Sequence, residues 1–158
     1  MTTVDSLQQL YQQVILDHSQ QRVGSGPIPD SMEYRSHQVN PTCGDEVTLA
    51  VDLADDGRLS HVVWDGDGCS ISQASLSMMT ELVEGKTPQQ IATLDQAFSQ
   101  MMHSRGHEVP DEVLDMLEDA ASLQGTSQFP NRVKCALLGW MALRDALVQA
   151  GALSKEDK

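Results

Sequence analysis

Cys43 and Asp45 stand two positions apart in the stretch Asn40-Pro41-Thr42-Cys43-Gly44-Asp45. Asn, Pro and Gly favour a turn, and within a turn the side chains at i and i+2 can converge on one point. A thiol and a carboxylate placed this way make half a metal site, and neither is expected in a hydrophobic core. Two more cysteines follow, Cys69 in Gly66-Asp67-Gly68-Cys69-Ser70 and Cys135 in Arg132-Val133-Lys134-Cys135. Each of the three is expected at a junction between a loop and an element. Cys69 and Cys135 fall near expected helix N-termini, where unpaired backbone N–H groups and the helix dipole favour a thiolate. Thiolates are nucleophiles and metal ligands. Three of them with Asp45 make four donors of the types Zn(II) accepts, enough to close a tetrahedral site. Simple burial also accounts for Cys135, which leads into an apolar helix. It does not explain why Cys43 and Cys69 sit in segments rich in Gly and Asp.

The bulk properties narrow the chemistry. The chain has 158 residues, three of them cysteine, with 23 acidic against 10 basic side chains and a formal charge of -13. That length suits one compact domain with its own core, expected over residues 1–151 and followed by a charged tail at 152–158. The negative charge argues against nucleic acid or an anionic membrane surface as the main partner, since both demand a basic footprint, and favours a protein or a cation. No run approaches the roughly 20 apolar residues of a membrane span. The N-terminus, with Asp5 and several Gln, does not read as a secretory signal. A cytoplasmic protein is expected, and a reducing compartment would keep three cysteines without a Cys-x-x-Cys as free thiols.

The elements that must position these residues follow from periodicity. Leu7, Leu10, Tyr11, Val14 and Ile15 carry the spacing of an amphipathic helix that ends near His18. Met32 to Val39, Val47 to Ala54 and Leu59 to Trp64 read as strands, the second with strict alternation, and Asp55-Asp56-Gly57 is a hairpin turn. Ile71, Ala74, Met78, Met79 and Leu82 restart a helical pattern that ends at Gly85. Thr87-Pro88-Gln89-Gln90 has the features of a capping box at the head of a helix running to about His103. Pro110 to Leu123 reads as an acidic helix with Val113, Leu114, Leu117, Ala120 and Ala121 inward, and Arg132 to Ala150 as a helix apolar almost all round. A helix, three strands and then helices make an α+β fold, a three-stranded antiparallel sheet covered on one face by helices. The paired methionines are core filler. No His follows a ligand spacing or a nucleophile–base motif, which argues against a stand-alone cysteine hydrolase.

The three cysteine stretches, Asn40 to Asp45, Gly66 to Ser75 and Arg132 to Leu137, resemble the cysteine motifs of the IscU/NifU-like proteins of iron–sulfur cluster assembly. The resemblance runs from Leu-Tyr-Gln-x-Val-Ile-Leu-Asp-His at residues 10–18 onward. Within that family the chain is similar to the SufU branch. IscU proteins carry a His immediately before the third cysteine, in a motif read by a chaperone; here Lys134 occupies that position, and Gln128-Phe129-Pro130-Asn131 does not match the motif. Cys69 and Cys135 stand 66 positions apart, consistent with the helical insertion of SufU proteins, expected over residues 95–125. The resemblance implies Zn(II) on Cys43, Asp45, Cys69 and Cys135. It also implies sulfur delivery from a SufS-type cysteine desulfurase to Cys43 and onward transfer to iron–sulfur scaffold proteins. Cys43 would swing out as a partner residue replaced it on zinc. Arg132 and Lys134, two cations in an acidic chain, would steer an acidic partner surface or stabilise the thiolates. The alternative is a scaffold building a transient [2Fe-2S] cluster on the same residues.

Overall fold

The computed structural model describes residues 3–153; positions 154–158 of the expected charged tail lie outside them. Helix α1 is Thr3–Gln21. Strands β1 (Tyr34–Asn40), β2 (Asp45–Leu53) and β3 (Leu59–Asp67) form one antiparallel sheet in the order β1-β2-β3. Helices α2 (Ser70–Val83), α3 (Pro88–Met102), α4 (Asp111–Leu117) and α5 (Pro130–Gln149) follow, with a 3-10 segment, Glu118–Gln128, between the last two. The α+β arrangement is the expected one. No helix among the described residues is long and apolar enough to cross a membrane.

The alternation in β2 fixes which face packs. Val47, Leu49 and Val51 are fully buried, as are Leu59 and Trp64 of β3. On β3 the inward positions change parity between Leu59 and Val62, because the register slips beside Asp52 and Leu53 in a bulge. Strand β3 also runs past Trp64, where Asp65-Gly66-Asp67 was expected to end it. These residues stay paired with Thr48, Val47 and Glu46, and Gly66 permits this, since a Cβ there would strike the Glu46 carbonyl. The extension delivers the chain to the foot of α2 beside the start of β2.

Helix α5 lies on β1 and β2 and packs against α2. The Ser75 hydroxyl donates to the Ala136 carbonyl at 2.6 Å, and Gly139 lies against the Leu76 side chain. Phe98 of α3 stacks on Trp140 of α5 at 5.1 Å, a contact of about 0.5–1.5 kcal/mol beyond its burial. The expected capping box holds α3: Gln90 N–H donates to Thr87 Oγ1 and Thr87 N–H to Gln90 Oε1.

Three expectations are corrected. Helix α5 is not apolar all round in its setting, because Met141 faces solvent. In α1, Leu7 and Leu10 are exposed, and Val14 and Ile15 carry the packing. His18, near the end of α1, is a buried link between elements. It is 4% exposed, with Nδ1 2.8 Å from Ser77 Oγ and Nε2 2.9 Å from Asp119 Oδ2 and 3.4 Å from Glu81 Oε1, so it ties α1 to α2 and the 3-10 segment. Finally, the expected helix over Pro110 to Leu123 breaks at Glu118, which sits at φ 50. In a straight helix of about 100° per residue, Leu123 would stand about 120° from Leu117. The break lets Leu117, Ala120, Ala121 and Leu123 all be buried.

Candidate metal centre

The β1–β2 hairpin sets Asn40 and Asp45 opposite each other, with Pro41 to Gly44 as the turn. Gly44 adopts φ +73, which glycine takes without steric cost, and the Cys43 N–H donates to the Asn40 carbonyl at 3.3 Å. Cys69 is the N-cap of α2. Cys135 lies in the second turn of α5, inside the helix rather than at its junction with the preceding loop.

These segments meet. The ligand atoms of Cys43, Asp45 and Cys135 lie within 4.8 Å of one another. Cys69 falls outside that mutual radius, but its Sγ is 4.0 Å from Asp45 Oδ2. Tetrahedral zinc with bonds of about 2.0–2.3 Å separates its ligands by roughly 3.3–3.8 Å, so the atoms of Cys43, Asp45 and Cys135, within 4.8 Å of one another, would close by at most about 1.5 Å. The donors fit Zn(II) in type and number, with Cys43, Asp45 and Cys135 gathered and Cys69 beside Asp45.

Asp45 departs from the expectation of a turn residue outside the core: it is 0% exposed. A buried carboxylate must be hydrogen-bonded. Its Oδ1 accepts the Cys69 N–H at 2.9 Å and the Ser72 hydroxyl at 3.4 Å. Gly68 makes this possible, because a Cβ there would fall on the Asp45 carboxylate and the Ser72 hydroxyl. One oxygen thus anchors the start of β2 to the N-terminus of α2, and Oδ2 is left toward the sulfurs.

Cys135 is corrected as well. It is 1% exposed, and its thiol reaches the Asn131 carbonyl at 3.4 Å in the helix behind it. Burial first, then hydrogen bonds with Asp45, Cys43 and Cys69, push its pKa far above the ordinary thiol value. The helix terminus does not make it a thiolate unaided, because desolvation outweighs the dipole one turn into the helix. A cation among these donors is what would ionise it. Cys43 and Cys69 are half-buried, and Cys43 Sγ is 3.6 Å from the same Asn131 carbonyl.

Arg132 and Lys134 are exposed. Arg132 lies over the Phe129 ring at 5.4 Å, and neither cation has an ion pair among the described residues. They flank the centre without entering it. The sequence reading missed Ser72 and Asn40, whose side chain donates to Cys135 Sγ at 3.7 Å. A serine three residues after an N-cap was a usable signal for the first; the asparagine reads only as a turn former.

The class is thus a three-stranded α+β protein with three thiols and a buried carboxylate gathered at one end of the sheet. The profile of the NifU-like N terminal domain family matches residues 10–136. The zinc-dependent sulfurtransferase SufU of Bacillus subtilis is 39% identical over 91% of this chain and 93% of its own length. The iron-sulfur cluster assembly scaffold protein IscU of Streptococcus pyogenes is 36% identical over 91% and 86%. A crystal structure described as an iron-sulfur cluster assembly scaffold protein for the SUF system, from Fervidobacterium islandicum, superposes with a TM-score of 0.69. It shares 34% identity, covering 83% of this chain and 91% of that one. The chain belongs to the NifU-like N-terminal domain family of iron–sulfur cluster assembly proteins, alongside SufU and IscU.

Proposed function

We propose that the chain is a zinc-dependent sulfur-transfer protein that accepts sulfane sulfur from a SufS-type cysteine desulfurase on Cys43. The observation that carries this reading is the unequal mounting of the four donors. Asp45 is clamped by the Cys69 N–H and Ser72, Cys69 caps α2, and Cys135 is buried inside α5. Cys43 alone rides on a turn, beside a glycine with open space around it.

Bound zinc supplies a Lewis acid that keeps the thiols ionised at neutral pH. Asp45, Cys69 and Cys135 are the residues that would hold the metal throughout. Cys43 would be the donor free to move, and its thiolate attacks the terminal sulfur of the cysteine persulfide on the desulfurase. A new S–S bond forms to Cys43, the S–S bond of the desulfurase breaks, and its cysteine departs as a thiolate. The sulfane sulfur keeps its oxidation state, so no oxidant or reductant is consumed. Arg132 and Lys134 at the rim favour an acidic partner surface. The Cys43 persulfide then serves a downstream iron–sulfur scaffold protein, and the free thiols suit the cytoplasm.

One zinc per chain and faster turnover of the partner desulfurase are expected. Cys43→Ala abolishes the enhancement, and an unchanged rate would sink the assignment. A second reading, a scaffold for a [2Fe-2S] cluster on the same four residues, is favoured by the thiolate set and by the relatives named IscU. Lys134, where IscU proteins carry a His, removes one ligand option. Anaerobic purification yielding a visible-absorbing, transferable cluster in place of zinc would favour that reading.

A further inference from the structure

Asn40 is the last residue of β1 and is 7% exposed. An asparagine opening a turn ordinarily bonds the backbone two residues on; here the side chain points inward instead. Its Nδ2 donates to Cys135 Sγ at 3.7 Å, while its backbone carbonyl accepts the Cys43 N–H and its register partner is Asp45. A single residue therefore links the turn of Cys43, the sulfur of Cys135 and the strand of Asp45.

The sulfurs differ in what they meet. Cys43 Sγ and Cys135 Sγ share the Asn131 carbonyl, which can only accept and so offers nothing to a thiolate. Cys135 has an N–H donor in addition. A hydrogen bond from an amide to a thiolate stabilises the charge and draws electron density away from attack, and donors of this kind around metal ligands hold them in place. Cys135 Sγ thus has a donor side chain, and Cys43 Sγ has none among the described residues.

We infer that Asn40 is a positioning residue that holds Cys135 as the passive, retained sulfur and so leaves Cys43 as the one that departs. The inference rests on the sulfur-acceptor reading of Cys43, but its first test does not depend on that reading. Zinc affinity is measured by competition with a chromophoric chelator for the wild type, Asn40→Ala and Asn40→Asp, and the melting temperature of each metal-free protein is recorded alongside. Asn40→Asp keeps the shape and replaces the donor with a negative acceptor. Zinc affinity should fall roughly 10- to 100-fold in Asn40→Asp and less in Asn40→Ala. A residue that merely fills space gives the reverse order, because alanine leaves the larger void. Affinities within twofold of wild type, the reverse order, or losses that simply track the metal-free melting temperature overturn the inference. In a second arm, each zinc-loaded protein is incubated with a cysteine desulfurase and cysteine, and the added sulfur is mapped by mass spectrometry. Sulfur should spread from Cys43 to Cys135 in Asn40→Ala; sulfur confined to Cys43 with unchanged zinc affinity contradicts it. If wild-type Cys43 accepts no sulfur, the acceptor reading falls and the affinity arm alone decides the role of Asn40.

Discussion

With Oδ1 of Asp45 occupied by the Cys69 N–H and the Ser72 hydroxyl, the carboxylate has one oxygen for the fold and one for the centre. The contact depends on Gly68, where the chain passes so close to Asp45 and Ser72 that it leaves no room for a Cβ. Gly68→Ala should therefore lower zinc affinity roughly tenfold, as expected for loss of a partner that orients a ligand, while the fold survives with a drop of a few degrees in melting temperature. Chelator competition beside a thermal melt checks this, and unchanged affinity would show that the Asp45 clamp is dispensable. At this scale the donor types are legible in the sequence: Cys43, Asp45, Cys69 and Cys135 read as candidate ligands from turn and expected helix-start signals, and the fold brings Cys43, Asp45 and Cys135 together. Their surroundings were hidden. Full burial of Asp45 and Cys135 depends on α2 and α5 converging on one hairpin, which no local pattern encodes.

At the scale of elements, the break at Glu118 shows burial overriding periodicity. Glu118 holds φ 50 and ψ -125, a conformation costly for any residue with a Cβ. Glu118→Gly should stabilise the protein by about 1 kcal/mol in urea unfolding; a loss of stability would mean that the Glu118 side chain makes a contact worth more than the strain. The break was illegible because Val113, Leu114, Leu117, Ala120 and Ala121 satisfy a helical spacing by themselves, and only the need to bury Leu123 as well conflicts with it. The same limit applies to His18. Its position at a helix end was legible, but its partners Ser77 and Asp119 lie 59 and 101 positions away. Signals carried within a few residues transferred: the capping box at Thr87, the turn at Asp55 to Gly57 and, in β2, the inward face of Val47, Leu49 and Val51, although Ala50 on the other face is buried too.

Over the whole molecule, a formal charge of -13 makes two exposed cations beside the centre conspicuous to an approaching protein. Reversing both, Arg132→Glu with Lys134→Glu, should raise the half-saturating concentration for desulfurase stimulation roughly tenfold at low salt. The maximal stimulation should stay near wild type, and the difference should shrink as salt screens the charges. Equal half-saturation at low salt would remove these residues from the docking surface. The α+β architecture was readable because each element announced its period and the order of elements leaves few ways to stack them. That donors so far apart in sequence belong together was readable from their types and strengthened by the resemblance, and Cys43, Asp45 and Cys135 do meet in the fold. The most direct test of the central claim is to incubate the zinc-loaded protein with a SufS-type desulfurase and cysteine and to map the added sulfur by mass spectrometry. The account predicts one additional sulfur on Cys43, with Cys69 and Cys135 unmodified. Sulfur on Cys69 or Cys135 in preference to Cys43, or on none of the three while desulfurase turnover is stimulated, would contradict it.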